Sequence, residues 1–114
     1  GVEPRVMGFG PVFAIRKALR RADLQLSDMD IIEINEAFAS QVLGCLKLLD
    51  VDFSDSRVNP NGGAIAVGHP LGASGARIAL TAMRQLERGG GRYAAISLCI
   101  GIGQGLAAIL ERVD

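Results

Sequence analysis

The apolar residues of this chain are spaced at helical intervals in three segments. They recur at three- and four-residue steps after Pro11, after Phe38 and after Gly72, which is the pattern of helices with one buried face. A proline at the start of the first helix fits, because its missing N–H has no helical partner there. Three consecutive glycines, 89–91, end the third helix.

Shorter apolar runs separate these helices and predict strands. They cover residues 30–34, 93–98 and 106–110, and Val58 is expected to start a further short strand that the turn formers at 59–63 break. The predicted order is α-β-α-β-α-β-β, and the final two strands can form a hairpin. We therefore expect an α/β fold with a mixed, mostly parallel sheet and helices on both faces, in one domain over residues 1–114.

Charge and composition exclude several classes of partner. The 114 residues include 12 basic and 12 acidic side chains, so no net field attracts nucleic acid, and a basic group at 16–21 is interpreted as a solvated helix face. No apolar run approaches the roughly 20 residues that cross a bilayer. Two cysteines and one histidine provide neither a disulfide framework nor a zinc site, which favours a cytoplasmic protein without a bound metal or cofactor.

The chemically interesting residues follow predicted strands, where open α/β sheets place their ligands. The first group is Asn35-Glu36-Ala37-Phe38, at the start of the second helix. Asparagine is a strong N-cap residue, and capping is the interpretation that the residues alone favour.

The second group surrounds His69, the only histidine of the chain. Gly68 and Pro70 flank it and Gly72, Ser74 and other small residues follow, so an irregular backbone leads into a helix N-terminus that is able to hold an anion. The residues leave a functional and a purely structural role equally open. A phosphate-binding loop is excluded, because His-Pro stands where such a loop needs Lys-Ser/Thr.

The third group runs from Cys99 to Gly105 and is expected to be a glycine-rich turn. A cysteine at a strand end can present its sulfur and nearby N–H groups to a substrate. By itself, however, an isolated cysteine is more often a small buried hydrophobic residue, as Cys45 is expected to be. The glycine spacing is not that of a dinucleotide-binding loop.

Together and in this order, the three groups resemble the C-terminal half of the thiolase family. The family motifs N-E-A-F, G-H-P-x-G-x-S-G and C-x-G-x-G-x-G match residues 35–38, 68–75 and 99–105. One departure is Ile102, where many members have glycine, and the ending is similar to that of the β-ketoadipyl-CoA thiolases. The resemblance covers nearly the whole chain.

The resemblance implies acyl transfer between an acyl-CoA and coenzyme A, with cleavage or formation of a C–C bond in a 3-oxoacyl-CoA. Cys99 would exchange the proton of the enolate carbon, in a site that lowers its pKa somewhat. His69 would activate the nucleophile and help bind the thioester oxygen, and Asn35 would hold a water at the same oxyanion hole. The backbone N–H of Gly101 would serve a second oxyanion hole.

The resemblance also implies substrate contacts. Phe38 would line the acyl pocket, and Gly68, Gly72 and Ser74 would lie beside the bound CoA ester, with the small residues allowing a close approach. Coenzyme A would be a substrate and not a resident cofactor. A homo-oligomer is expected, with a role in fatty acid or aromatic degradation.

The nucleophilic cysteine of this family lies in the N-terminal half, within a C-x-S-G motif that these 114 residues do not contain. The opening strand of the C-terminal half is also expected to precede Gly1. The chain alone is therefore predicted to be inactive without an N-terminal thiolase half. The alternative is a non-catalytic thiolase-like module that binds CoA esters or dimerises; a nucleotide-binding module is weakened by the absent Walker lysine.

Overall fold

A computed structural model describes residues 1–113 as alternating helices and strands that pack around one sheet. Two short 3-10 helices, Pro4–Phe9 and Leu26–Asp28, lie before and after the first α-helix. The other elements are α1 (Gly10–Ala22), β1 (Ile31–Ile34), α2 (Ala39–Leu49), α3 (Ala64–Val67), α4 (Leu71–Gly89), β2 (Tyr93–Ile100) and β3 (Gln104–Glu111).

The three long helices begin and end close to where the sequence predicts. Pro11 lies in the first turn of α1. Each helix ends at a residue with left-handed backbone, namely Asp23 (φ 56°), Asp50 (φ 58°) and Gly90 (φ 72°). Such residues stop a helix by turning the chain out of it, and aspartate is among the few types besides glycine that tolerate this conformation.

The sheet has the order β1-β2-β3 and is mixed. Strands β1 and β2 are parallel, with Ile34 opposite Ser97, whereas β2 and β3 form the antiparallel hairpin that the sequence allows. The parallel share is smaller than predicted, since only one of these two strand pairs is parallel.

The strand predicted at Val58 is wrong: this residue makes a single parallel bridge with Ile32. Asn59 follows with φ 44°, which takes the backbone out of the extended conformation after one residue. The next apolar run, at 64–67, forms the short helix α3. The predicted order α-β-α-β-α-β-β therefore lacks its second strand.

Helices cover both faces of the sheet, as predicted. Helices α1 and α2 pack on one face against Ile32 and Ile34 of β1, and α4 packs on the other face against Ile31. Because successive strand residues point to opposite faces, a strand covered on both sides is buried along its whole length. All four residues of β1 are buried for this reason.

Candidate active site

Two of the three sequence groups meet at one edge of the sheet. Parallel strands end at the same edge, and Asn35 directly follows β1, with its N–H donating to the carbonyl of Ser97 at 2.9 Å. Cys99 lies two residues further along β2. The expectation that these groups lie at the carboxyl end of the parallel strands is therefore confirmed for Asn35 and Cys99.

Asn35 does not cap a helix. Helix α2 begins at Ala39, its N-cap residue is Phe38, and no side chain bonds to its first turn. The side chain of Asn35 is instead buried, with Nδ2 at 3.4 Å from Nε2 of His69. Its Oδ1 has no hydrogen-bond partner among the described residues. The capping interpretation is thus wrong, and a buried amide faces the histidine.

His69 lies between α3 and α4 and is held at both ring nitrogens. Its Nδ1 is 2.6 Å from Oγ of Ser74, in the first turn of α4. Gly68 has φ 85°, a conformation that favours glycine, and its carbonyl accepts a hydrogen bond of 2.7 Å from Arg77. Ser74 is completely buried, which argues against the substrate contact expected for it.

Glu36 and Asn59 join the loop after β1 to the loop that carries His69. The Asn59 amide donates to the carbonyl of Ile34 and accepts its N–H, both at 2.9 Å, and donates to Glu36 at 3.2 Å. Glu36 accepts the N–H of Ile65 at 3.0 Å. A side chain on Gly63 would collide with the Glu36 carboxylate, so this carboxylate would have to move away from its present position.

Cys99 is half-buried at the end of β2, opposite Gly105. Burial raises the pKa of its thiol, so the described residues do not provide the lowering of this pKa that would help proton transfer near neutrality. Cys99 also belongs to the strand and not to the glycine-rich turn, which is confined to 101–103. Cys45 is fully buried and bonds to the carbonyl of Gly8 at 3.3 Å, which confirms its structural role.

The remaining predicted residues lie on the surface beside this site. Gly101 is exposed in the β2–β3 turn, and Phe38 is exposed by 65%. No atom lies within 4 Å of a side chain built on Gly72 or Gly75. Open space therefore adjoins the first turns of α4 among residues 1–113, at the place where the resemblance implies the close approach of a CoA ester.

Glu33 is a buried acid that the sequence analysis did not single out. It is 2% exposed, and its Oε1 has no hydrogen-bond partner among the described residues. Loss of water raises its pKa to about 7, with a further increase from Glu36 and a partial offset from Arg77. The sequence does carry a sign of this buried acid, because Glu33 stands inside an otherwise apolar strand that helices cover on both faces.

Neither a metal centre nor a membrane segment is found in the described part of the chain. Residues 1–113 contain no cluster of three or more histidine, cysteine, aspartate or glutamate side chains arranged around a cation position. None of their helices combines the length and the apolar character that crossing a bilayer requires.

Comparison with known families gives one consistent match. The family model described as thiolase, C-terminal domain, matches residues 1–112. The beta-ketoadipyl-CoA thiolase of Acinetobacter baylyi is 62% identical over 113 residues, which make up 99% of this chain and 28% of that protein. The 3-oxoadipyl-CoA/3-oxo-5,6-dehydrosuberyl-CoA thiolase of Escherichia coli is also 62% identical, with the same shares covered.

Solved structures agree in fold. Human mitochondrial 3-ketoacyl-CoA thiolase superposes with a TM-score of 0.95 at 53% identity, over 99% of this chain and 28% of that one. The same protein has also been solved in complex with CoA, with equal similarity. The chain thus spans little more than a quarter of the length of the proteins that it matches.

Proposed function

This chain belongs to the thiolase family as a C-terminal domain, and we propose that it supplies the proton-transfer and oxyanion-binding groups of a 3-oxoacyl-CoA acyltransferase. In the cleavage direction, such an enzyme breaks the Cα–Cβ bond of the substrate and passes the acyl group to CoA. The active site of the whole protein would combine these groups with a nucleophilic cysteine from an N-terminal thiolase half.

The arrangement around His69 carries this proposal. Nδ1 faces the Ser74 hydroxyl at 2.6 Å and Nε2 faces the Asn35 amide at 3.4 Å, while Cys99 lies at the same sheet edge as Asn35. A folded scaffold has no need of a histidine held at both nitrogens beside a buried amide, at the same end of the sheet as a cysteine. The non-catalytic alternative, a CoA-ester-binding or dimerisation module, leaves this combination unexplained.

His69 would act first, as the base for the nucleophilic cysteine. Its Nε2 takes the thiol proton, and the thiolate attacks the β-carbonyl carbon of the substrate. The resulting oxyanion is stabilised by N–H donors, for which Gly101 is the candidate in this chain. Removing one such donor from an enzyme typically costs roughly 10²–10³ in rate.

Cys99 would handle the second proton. As the Cα–Cβ bond breaks, its electron pair moves to the acyl-CoA enolate, and Cys99 protonates Cα. CoA then gives its thiol proton to the Cys99 thiolate and takes the acyl group from the nucleophile, which restores both cysteines. A raised pKa suits this order, because it keeps Cys99 protonated until a carbanion needs the proton.

The substrate would be a 3-oxoacyl-CoA, with coenzyme A as the second substrate. Two observations support this: the human neighbour is solved with CoA, and the relatives of highest identity quoted above act by name on β-ketoadipyl-CoA or 3-oxoadipyl-CoA. Phe38 and the open space beside Gly68 and Gly72 are the proposed contacts. A cytoplasmic homo-oligomer is part of the same proposal.

A hybrid protein tests this function in a full-length context. In it, the chain replaces the matching 113 residues of the A. baylyi relative, to which it is 62% identical. CoA-dependent cleavage of β-ketoadipyl-CoA and acetoacetyl-CoA is then measured. We expect activity that falls by at least about 10²-fold in His69→Ala and in Cys99→Ala, since each variant removes a proton-transfer group.

Cys45→Ala is the matched control for Cys99→Ala. Cys45 is the only other cysteine of the chain and is buried in the core, and its hydrogen bonds go to Gln41 and to the carbonyl of Gly8 and not to Asn35, His69 or Cys99. A folded hybrid without activity, or one in which the His69 and Cys99 variants keep full activity, would contradict the proposal and favour the non-catalytic module.

A further inference from the structure

The hydrogen bonds of His69 define where its proton lies. In the structure, Nδ2 of Asn35 lies 3.4 Å from Nε2 of His69, and in this orientation of the amide Nε2 is the acceptor. A neutral imidazole has one protonated nitrogen, and the proton is therefore on Nδ1. Nδ1 then donates to Oγ of Ser74 at 2.6 Å.

The hydroxyl of Ser74 has a second partner that completes this chain of hydrogen bonds. It donates to the carbonyl of Pro70 at 3.1 Å, one helical turn back, which also accepts the Ser74 backbone N–H at 2.9 Å. Ser74 is 0% exposed, so no solvent competes for its oxygen. The three hydrogen bonds thus run in one direction: Asn35 donates to His69, His69 to Ser74, and Ser74 to the carbonyl of Pro70.

We propose that Ser74 is a positioning residue that holds the His69 ring in the tautomer with the proton on Nδ1, so that Nε2 is the base. This assignment rests on the proposed function and replaces a direct substrate contact for Ser74. When Nε2 takes a proton, the serine oxygen continues to accept from Nδ1 and stabilises the charged ring. Ser74 itself exchanges no proton with the substrate.

The position of Ser74 in the fold supports a fixed geometry. It lies on the same buried face of α4 as Ile78, Ala82 and Leu86, at four-residue steps along the helix. Helix α4 is thereby anchored on the sheet, and the hydroxyl is presented to the histidine from a rigid element. A partner that fixes one imidazole nitrogen determines the chemistry of the other.

The tautomer is measurable on the chain itself, because His69 is its only histidine. Nitrogen-15 spectra of the labelled chain in mildly alkaline buffer distinguish a protonated from an unprotonated ring nitrogen. We expect the proton on Nδ1 in the parent chain and a shift of population to Nε2 in Ser74→Ala and Ser74→Cys. The cysteine variant separates loss of the hydroxyl from creation of a cavity, because its volume is close to that of serine.

Ser97→Ala is the matched control. Ser97 is also 0% exposed, and its hydroxyl bonds to the carbonyl of Leu106 at 3.0 Å and to no histidine. This variant should leave the tautomer of His69 unchanged. A proton on Nε2 in the parent chain, or a tautomer that Ser74→Ala does not change, would overturn the assignment.

Kinetics of the hybrid protein give an independent readout. Loss of a hydrogen-bond partner behind a catalytic histidine should lower kcat by roughly 10- to 100-fold, while KM changes by less than about threefold. Ser74→Thr keeps the hydroxyl and should retain most of kcat. An unchanged kcat in Ser74→Ala would refute the positioning role, whereas an inactive parent hybrid would contradict the proposed function and leave the tautomer measurement to decide on Ser74.

Discussion

The polar residues near the end of β1 show how far the role of a single side chain can be predicted from the sequence. Asn35 and His69 were found because each stands in a motif. The sequence does not indicate the role of Asn59, because a turn-forming residue in a glycine-rich loop suggests only a turn. In the structure its amide bonds to both backbone groups of Ile34, as a neighbouring strand would. That role depends on a left-handed backbone at Asn59 and on a contact across 25 residues, neither of which has a local signal.

The buried carboxyl group of Glu33 leads to a prediction about the pH dependence of stability. Burial raises its pKa to about 7 in the folded chain, from an ordinary value of 4.5. An acid with a raised folded pKa binds more protons when folded, so the free energy of unfolding decreases as pH rises from about 5 to about 7 and then levels off. The full difference is on the order of 3 kcal/mol, since one pKa unit corresponds to about 1.4 kcal/mol.

Urea unfolding of the chain at about pH 5 and about pH 8 checks this effect. Glu33→Gln should remove the decrease and be more stable than the parent chain at the higher pH. Exposed Glu87 provides the control, because Glu87→Gln deletes a carboxylate from the surface of α4. Equal pH dependence in the parent chain and in Glu33→Gln would show that Glu33 is not the responsible group.

At the scale of elements, helices and strands with a clear apolar period were predicted well. The ends of α1 and α4 follow directly from Pro11 and from the glycines at 89–91. The error falls on a short segment: Val58 makes a single bridge instead of a strand, and the four apolar residues at 64–67, which fit a strand or a helix turn equally well, form α3. Local pattern does not decide such cases, because the choice depends on bonds to Glu36 and the loop around it.

The close contact between α1 and β3 leads to a prediction about the stability of a glycine variant. Gly10 and Gly105 approach so closely that a side chain on Gly105 would collide with the backbone of Gly10. Gly105→Ala should push the start of α1 away from β3 and destabilise the chain by roughly 1–3 kcal/mol. Thermal or urea unfolding measures the loss.

Gly75→Ala is the matched comparison for this variant. Gly75 lies inside α4, and no atom is within 4 Å of an added side chain. The same substitution should therefore be neutral or stabilise by up to about 1 kcal/mol, because alanine is the better helix former. Similar effects of the two substitutions would show that the α1–β3 contact is looser than described.

At the scale of the whole molecule, several large apolar side chains near the site are exposed. Phe38, Ile65, Val67, Leu71 and Ile102 are exposed by between 63% and 85%. They lie within a few residues of Asn35, His69 or Cys99 along the chain, in α3, at the starts of α2 and α4 and in the β2–β3 turn. We call these five side chains the apolar rim. Exposed apolar groups of this size are candidates for an interaction surface, and the N-terminal thiolase half is the proposed partner.

The last prediction follows from this rim and from the cysteines. Of the two cysteines in the chain, Cys45 is buried in the core and Cys99 is assigned to proton transfer, so no thiol remains to take up the acyl group. The pure chain should therefore show no CoA-dependent cleavage of acetoacetyl-CoA. Addition of the remaining, N-terminal part of the A. baylyi relative should restore cleavage, and it should do so less well when Leu71→Asp places a charge in the apolar rim. Cleavage by the pure chain that disappears in Cys99→Ala would instead make Cys99 the nucleophile, and the division of labour between the two cysteines proposed here would have to be reversed.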